Sequence, residues 1–206
     1  MTLLALLDYA SVFIFALTGA LVASRAQLDI IGFVFIASLT AVGGGTLRDL
    51  LLDRQIVWVA NPSLIGVAAL AAFIVFFTAH IPESRYRWLV WFDALALAVA
   101  VPAGVGVALS MDQPASIIVI MGIATGCFGG LMRDVVCNEV PLVLKQGELY
   151  VTCALAGGLA ALGALALDLP TGIALIACGA TTFLLRAGSI TRGWRLPVYK
   201  SFPPRQ

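Results

Sequence analysis

This sequence has little charge, one histidine, and no polar stretch long enough to make a soluble domain. Only 11% of its 206 residues are Asp, Glu, Lys or Arg, against about a quarter in soluble domains. A separate soluble domain needs at least about 50 residues of mixed composition, and no such stretch is present. Twelve basic and eleven acidic residues give a formal charge of +1, so there is no basic surface for nucleic acid. The four cysteines (Cys127, Cys137, Cys153 and Cys178) show no C-x-x-C or other metal spacing and fall in or beside apolar runs, where Cys acts as a small hydrophobe. His80 lies where a helix is expected to meet a loop, which suits an interfacial polar residue. H-E-x-x-H, G-x-S-x-G and P-loop motifs are absent, so no enzyme chemistry, cofactor or structural metal is indicated.

Apolar residues make up 61% of the chain, and the mean hydropathy is +1.04. Apolar runs near 20 residues recur over nearly the whole length, the mark of transmembrane helices. Pro, Gly and charge punctuation divide them into seven spans: 3–23, 30–52, 63–80, 88–110, 115–137, 148–167 and 170–187. The expected class is an all-α polytopic membrane protein with one seven-helix domain over residues 1–187 and a basic C-terminal tail over 188–206. Residues 1–24 loosely imitate a signal peptide, but they lack a basic leading region and are interrupted by Asp8. They are expected to stay as the first helix. With the N-terminus outside, nine basic residues (Arg25, Arg85, Arg87, Lys145, Arg186 and four in the tail) fall inside and only Arg54 outside, so N-out, C-in is expected. The tail suits topology anchoring at the lipid surface rather than recognition of a particular anionic lipid.

Sliding the sequence on itself by 85 residues aligns its rarest features without a gap. Asp8 falls on Asp93, Gly19 on Gly104, Thr40 on Thr125, Gly44-Gly45 on Gly129-Gly130, and Arg48-Asp49 on Arg133-Asp134. Intramembrane ionisable residues are rare and costly, so three sharing one register in each half mark a duplication. The repeats cover about 3–80 and 88–167. Three helices per repeat is an odd number, so the halves are expected to face opposite ways across the membrane, 3+3, with the seventh helix outside the repeat.

Gly43-Gly44-Gly45 in the second span, and Gly126 with Gly129-Gly130 in the fifth, carry two readings. Consecutive glycines weaken or kink a helix and would line a pathway; small residues also let helices approach closely. The charge network Asp8, Arg48, Asp49, Asp93, Arg133 and Asp134 sums to −2 when ionised. Adjacent residues point about 100° apart on a helix, so cross-helix partners are expected, such as Arg48 with Asp134 or Asp93 and Arg133 with Asp49 or Asp8. The network either biases a pathway toward cations or locks the repeats together. Thr40, Thr125 and Ser38 either present hydroxyls to an ion or bond back to their own helix.

Gly43-Gly44-Gly45-Thr46-Leu47-Arg48-Asp49 and Gly129-Gly130-Leu131-Met132-Arg133-Asp134, set in a chain of this size with a 3+3+1 pattern, resemble the bacterial trimeric intracellular cation (TRIC) channels. The resemblance implies a homotrimer with one hourglass pore per protomer, lined by kinked second and fifth helices. It implies passive passage of potassium and sodium, bound only transiently; the short loops and N-out orientation fit a bacterial inner membrane. The Lys-Glu-Val motif of the animal members is absent; the fourth span begins Trp91-Phe92-Asp93. Similar bacterial sequences are also called glycine-transporter domains, so secondary transport of glycine or another small amino acid is the alternative. Arg48 or Arg133 would then bind a substrate carboxylate.

Overall fold

The structure, a computed structural model, describes residues 3–80, 84–146, 148–197 and 199. Among these, eight α-helices follow in order: α1 (Leu3–Arg25), α2 (Ile30–Leu51), α3 (Val57–Ala60), α4 (Ser63–Thr78), α5 (Arg85–Ser110), α6 (Ala115–Val136), α7 (Val151–Ala166) and α8 (Thr171–Arg192). A short 3-10 turn occupies Leu142–Leu144. Five helices, α1, α2, α5, α6 and α8, are long and apolar enough to cross a membrane; α4 and α7 are apolar but shorter. At about 1.5 Å per residue, the 16 residues of α4 and of α7 span less than a typical hydrocarbon core.

The two buried helices α1 and α5 pack against each other at the centre. Their inward faces are small: Ala16, Ala20 and Ala23 on α1, and Ala94, Ala96, Ala100 and Ala103 on α5, are almost fully buried. Small faces bring the two backbones close in the absence of a hydrophobic drive between helices in lipid. α2 and α4 cover α1, α6 covers α5, and α8 packs on α5 and α7. Helix α5 runs through Pro102 without interruption. Helix α8 also runs past the expected limit at residue 187, so Gly188–Arg192 are helix rather than tail. Most of the remaining tail, residues 198 and 200–206, lies outside the described residues.

Five helices end in one way. Gln27, Asp53, Asp112, Asn138 and Asp168 each have a left-handed backbone, with φ between 50° and 56°, two residues beyond the last helical residue. The next amide closes the end on a carbonyl five residues back; Arg54 N–H to the Asp49 carbonyl (3.0 Å) and Glu139 N–H to the Asp134 carbonyl (2.8 Å) are the equivalent pair in the two repeats. Asp and Asn tolerate this conformation better than most residues, but glycine is free of its strain. The exposed Asp168 side chain makes no hydrogen bond among the described residues, and glycine keeps the Asp168 amide bond to the Leu165 carbonyl, so Asp168→Gly is expected to raise the thermal midpoint in detergent, by the equivalent of about 1 kcal/mol or less.

Candidate functional site

The glycines lie where α2 crosses α6. A Cβ on Gly44 would press into the Thr125 carbonyl oxygen, and a Cβ on Gly129 into the Thr40 carbonyl oxygen. These contacts are reciprocal at the 85-residue offset, so each helix uses its glycine to seat the other's backbone. Both helices are continuous through 43–45 and 126–130. Gly44 and Gly129 thus serve the close approach of the two helices. Gly43 also faces α6, with Gly129 and Met132 as neighbours, whereas Gly126 takes Leu97 and Val101 of α5 against it.

Gly45 and Gly130 differ. The nearest atoms to a Cβ on Gly45 would be Arg48 Nη2 and Val57 Cγ1, both at 3.8 Å. Gly130 faces the Tyr150 hydroxyl, Asp93 Oδ1 and Arg133 Nη2, at 3.4–3.6 Å. One glycine of each motif therefore packs against the crossing helix, and the next faces the buried arginine of its own repeat.

Those arginines are clamped by carboxylates. Arg48 Nε donates to Asp49 Oδ1 (2.8 Å) and Arg48 Nη1 to Asp8 Oδ1 (3.1 Å). Arg133 Nε donates to Asp134 Oδ1 (2.7 Å) and Arg133 Nη1 to Asp93 Oδ1 (3.0 Å). The second oxygen of each neighbouring Asp is also used: Asp49 Oδ2 accepts from Val57 N–H (2.8 Å) and Asp134 Oδ2 from Leu142 N–H (2.9 Å). Each of these six contacts has its counterpart in the other cluster at an offset of 85. This pairing corrects two expectations. Arginines pair within their own repeat rather than across it, and each does bind the Asp next to it. The backbone angle between neighbours is offset because the long Arg side chain turns Nε back, while the capping duty of the Asp holds Oδ1 toward it.

The six charged residues are thus brought together as two clusters of three, not as one. Asp8 lies in the Arg48 cluster, and Thr18, ten residues further along α1, accepts from Arg133 Nη1 (2.8 Å). Ten residues of helix rise about 15 Å, so the clusters sit at different depths. The C-terminal end of α6 meets the C-terminal end of α1 through Arg25–Glu139 (3.3 Å), whereas α2 ends beside the start of α1. The two clusters consequently face opposite ends of the bundle.

The ends are not equivalent. Asp8 lines a cavity of about 250 Å3 with Tyr9, Arg54, Asn61 and Val57, and a much smaller void joins Asp8 to Gly45, Ser11 and Thr125. Arg54 Nε stands 3.6 Å from Asp49 Oδ1. The counterpart Asp93 is fully buried. Among the described residues, Nη2 of Arg48, Nη2 of Arg133, Nε of Arg186, Asp93 Oδ2 and Ser38 Oγ are buried without a hydrogen-bond partner. Thr40 and Thr125 bond back to the Ile36 and Met121 carbonyls, 2.6 Å each, beneath Gly19 and Gly104.

Four participants had no signal in the duplication. Thr18 has Ala103 as its counterpart, and Tyr150 has Ile65, so neither stands out in the 85-residue register. Arg54 and Arg186 register only as charges at helix ends. Among the described residues no group of three or more His, Cys, Asp or Glu is placed to hold a metal ion. Cys127, Cys153 and Cys178 are buried free thiols, and Cys137 is half-buried.

Comparison with known proteins followed the same division. The profile of a family described as "Glycine transporter" matches twice, over residues 5–80 and 90–166. A UPF0126 membrane protein of Vibrio cholerae is 36% identical over 200 residues, covering 96% of this chain and 83% of the relative. The UPF0126 inner membrane protein YadS of Escherichia coli is 33% identical over 196 residues, covering 94% of each. Among solved structures, the TRIC trimeric intracellular cation channel orthologue from Rhodobacter sphaeroides superposes with a TM-score of 0.90 at 43% identity, over 94% of this chain and all of that one. A chain from work described as "Structural basis for conductance through TRIC cation channels" gives 0.85 at 30% identity, over 97% and 98%. The molecule is therefore an integral membrane protein with the TRIC channel fold.

Proposed function

Since this chain belongs to the family described as Glycine transporter, with UPF0126 membrane proteins as its relatives, we propose that it is a passive channel for monovalent cations, potassium and also sodium. It is not an enzyme. In this reading seven helices (α1, α2, α4, α5, α6, α7 and α8) cross a bacterial inner membrane with the N-terminus outside and the C-terminus in the cytoplasm. They form a 3+3 inverted repeat with α8 outside it. Three copies assemble, each with its own pathway between α2 and α6, narrowest where Gly44 and Gly129 bring the helices together. Gly45, Gly130, Ser38, Thr40, Thr125 and the two charge clusters lie along it.

The observation that carries this reading is the stoichiometry of the clusters. Arg48 and Arg133 are each held by two carboxylates, and one of these, Asp8, opens to a cavity at one mouth. Excess carboxylate along a narrow path attracts cations. The same stoichiometry disfavours amino-acid transport through these arginines. A substrate carboxylate would need two free donors on one guanidinium edge, and on each arginine Nε and Nη1 are already bound, which leaves Nη2 alone.

The decisive experiment is single-channel recording of the purified protein in planar bilayers under a potassium chloride gradient, followed by addition of glycine. Discrete cation-selective steps indifferent to glycine are expected; silence together with saturable glycine uptake into liposomes would overturn the channel. Asp8→Asn is expected to keep the currents but move the reversal potential toward zero, because it removes the carboxylate exposed at the mouth. An unchanged reversal potential would remove Asp8 from the pathway.

A further inference from the structure

The two ends of the bundle differ in what covers their clusters, and the cover at the Arg133 end is built from parts outside the duplication. Tyr150, almost fully buried just ahead of α7, sets its phenol beside Asp93 and Gly130. Its counterpart at the other end is Ile65, where the space by Gly45 stays open. Tyr150 is held from behind by α8. Arg186 lies over its ring, 5.0 Å from the centroid, and donates to the Leu149 carbonyl (3.1 Å) and to Glu148 Oε2 (3.0 Å). Ser189 Oγ accepts from Leu149 N–H (3.2 Å) and donates to the Trp194 carbonyl (3.0 Å). The chain then folds back: Trp194 covers Gly188 so closely that a Cβ there would strike its ring, and the backbone of Arg195 pairs with that of Glu148 in an isolated antiparallel β-bridge.

We propose that the segment from Arg186 to Arg195 is a strap that holds Tyr150 as a plug over the Arg133 end of the pathway, and that its release opens that end. Resting on the channel reading above, this assigns gating to α8 and the chain that follows it. Arg186 and Ser189 are positioning residues; Tyr150 is the group that occludes. The plug is held by a backbone amide, two carbonyls, one ion pair in which Arg186 is buried and Glu148 is 32% exposed, and one half-exposed tryptophan. Contacts of this kind open locally at far lower free energy than the buried core. Asp93, Asp134 and Arg133 keep their own bonds when the strap lifts, so opening leaves the helix crossing intact.

Cys127 gives a probe independent of current, since it is buried and electrostatically coupled to Asp93. In full-length protein carrying Cys137→Ser, Cys153→Ala and Cys178→Ala, reconstituted in liposomes, a small cationic methanethiosulfonate would report access to Cys127. Trp194→Ala and Ser189→Ala both loosen the strap without touching the clusters. Each is expected to raise the modification rate by about tenfold or more, as a local opening equilibrium shifts, and to raise open probability. Tyr150→Ala should do the same with no further gain from Trp194→Ala. Unchanged modification rates in folded Trp194→Ala and Ser189→Ala would overturn the strap while leaving any channel activity standing. Faster modification in a protein that never conducts would keep the strap and overturn the channel.

Discussion

Gly44→Ala and Gly129→Ala are each expected to lose most of the folded protein. The added methyl meets a backbone carbonyl oxygen of the facing helix, the Thr125 oxygen in one case and the Thr40 oxygen in the other. A side chain in that place could swing away; a carbonyl can move only if α2 and α6 separate. Overpacking a core costs about 1–3 kcal/mol and occasionally more, and a contact with no side-chain escape belongs at or above the upper limit. Gly45→Ala is the control, because its methyl would find nothing nearer than 3.8 Å. It should melt at or above the parent temperature, since alanine favours a helix over glycine by about 1 kcal/mol, while narrowing the space beside Arg48. Thermal midpoints by fluorescence-detected size exclusion separate the two. A Gly44→Ala protein that melts with the parent would show that α2 and α6 do not cross as described.

Arg133→Gln is expected to destabilise far more than Arg48→Gln, although the two arginines occupy equivalent positions. Without Arg133, Asp93 and Asp134 are left facing one another, both essentially buried. Breaking a buried ion cluster in this way costs about 3–5 kcal/mol. At the other end Asp8 borders a cavity, its side chain 14% exposed, and Arg54 still stands 3.6 Å from Asp49. Hydration and the second cation both limit the penalty there. Adding Asp93→Asn to Arg133→Gln should recover part of the loss by removing the stranded charge, a non-additivity that a double-mutant cycle measures directly. Equal losses for the two arginines would mean that the ends are equivalent after all.

Much of this architecture was legible in the residues. The spans at 30–52, 63–80 and 115–137 agree closely with α2, α4 and α6 because long apolar runs end at Pro, Asp and Arg, which few helices carry into lipid. The 85-residue register identified the six charged residues and the paired glycines, and the arginine–carboxylate hydrogen bonds of the two clusters obey it. Three features were not legible. The charge of Arg186 suggested the end of the last span, yet α8 continues to Arg192, with the buried Arg186 donating to Glu148 and the Leu149 carbonyl. The glycines left a kink and a close crossing both open, and only the facing helix shows that Gly44 and Gly129 seat its backbone. Arg48 was expected to reach across to the other repeat, yet it turns to Asp8 and Asp49.

The sequence alone determined the class, the duplication and the identity of the special residues. Those rest on composition and spacing, which water and lipid read one segment at a time. Only the tertiary structure decided which carboxylate each arginine takes, which glycine packs and which faces the charge, and why one end opens on Asp8 while Tyr150 covers the other. Such choices depend on distances of a few ångströms between segments far apart in the chain, and no local pattern encodes them.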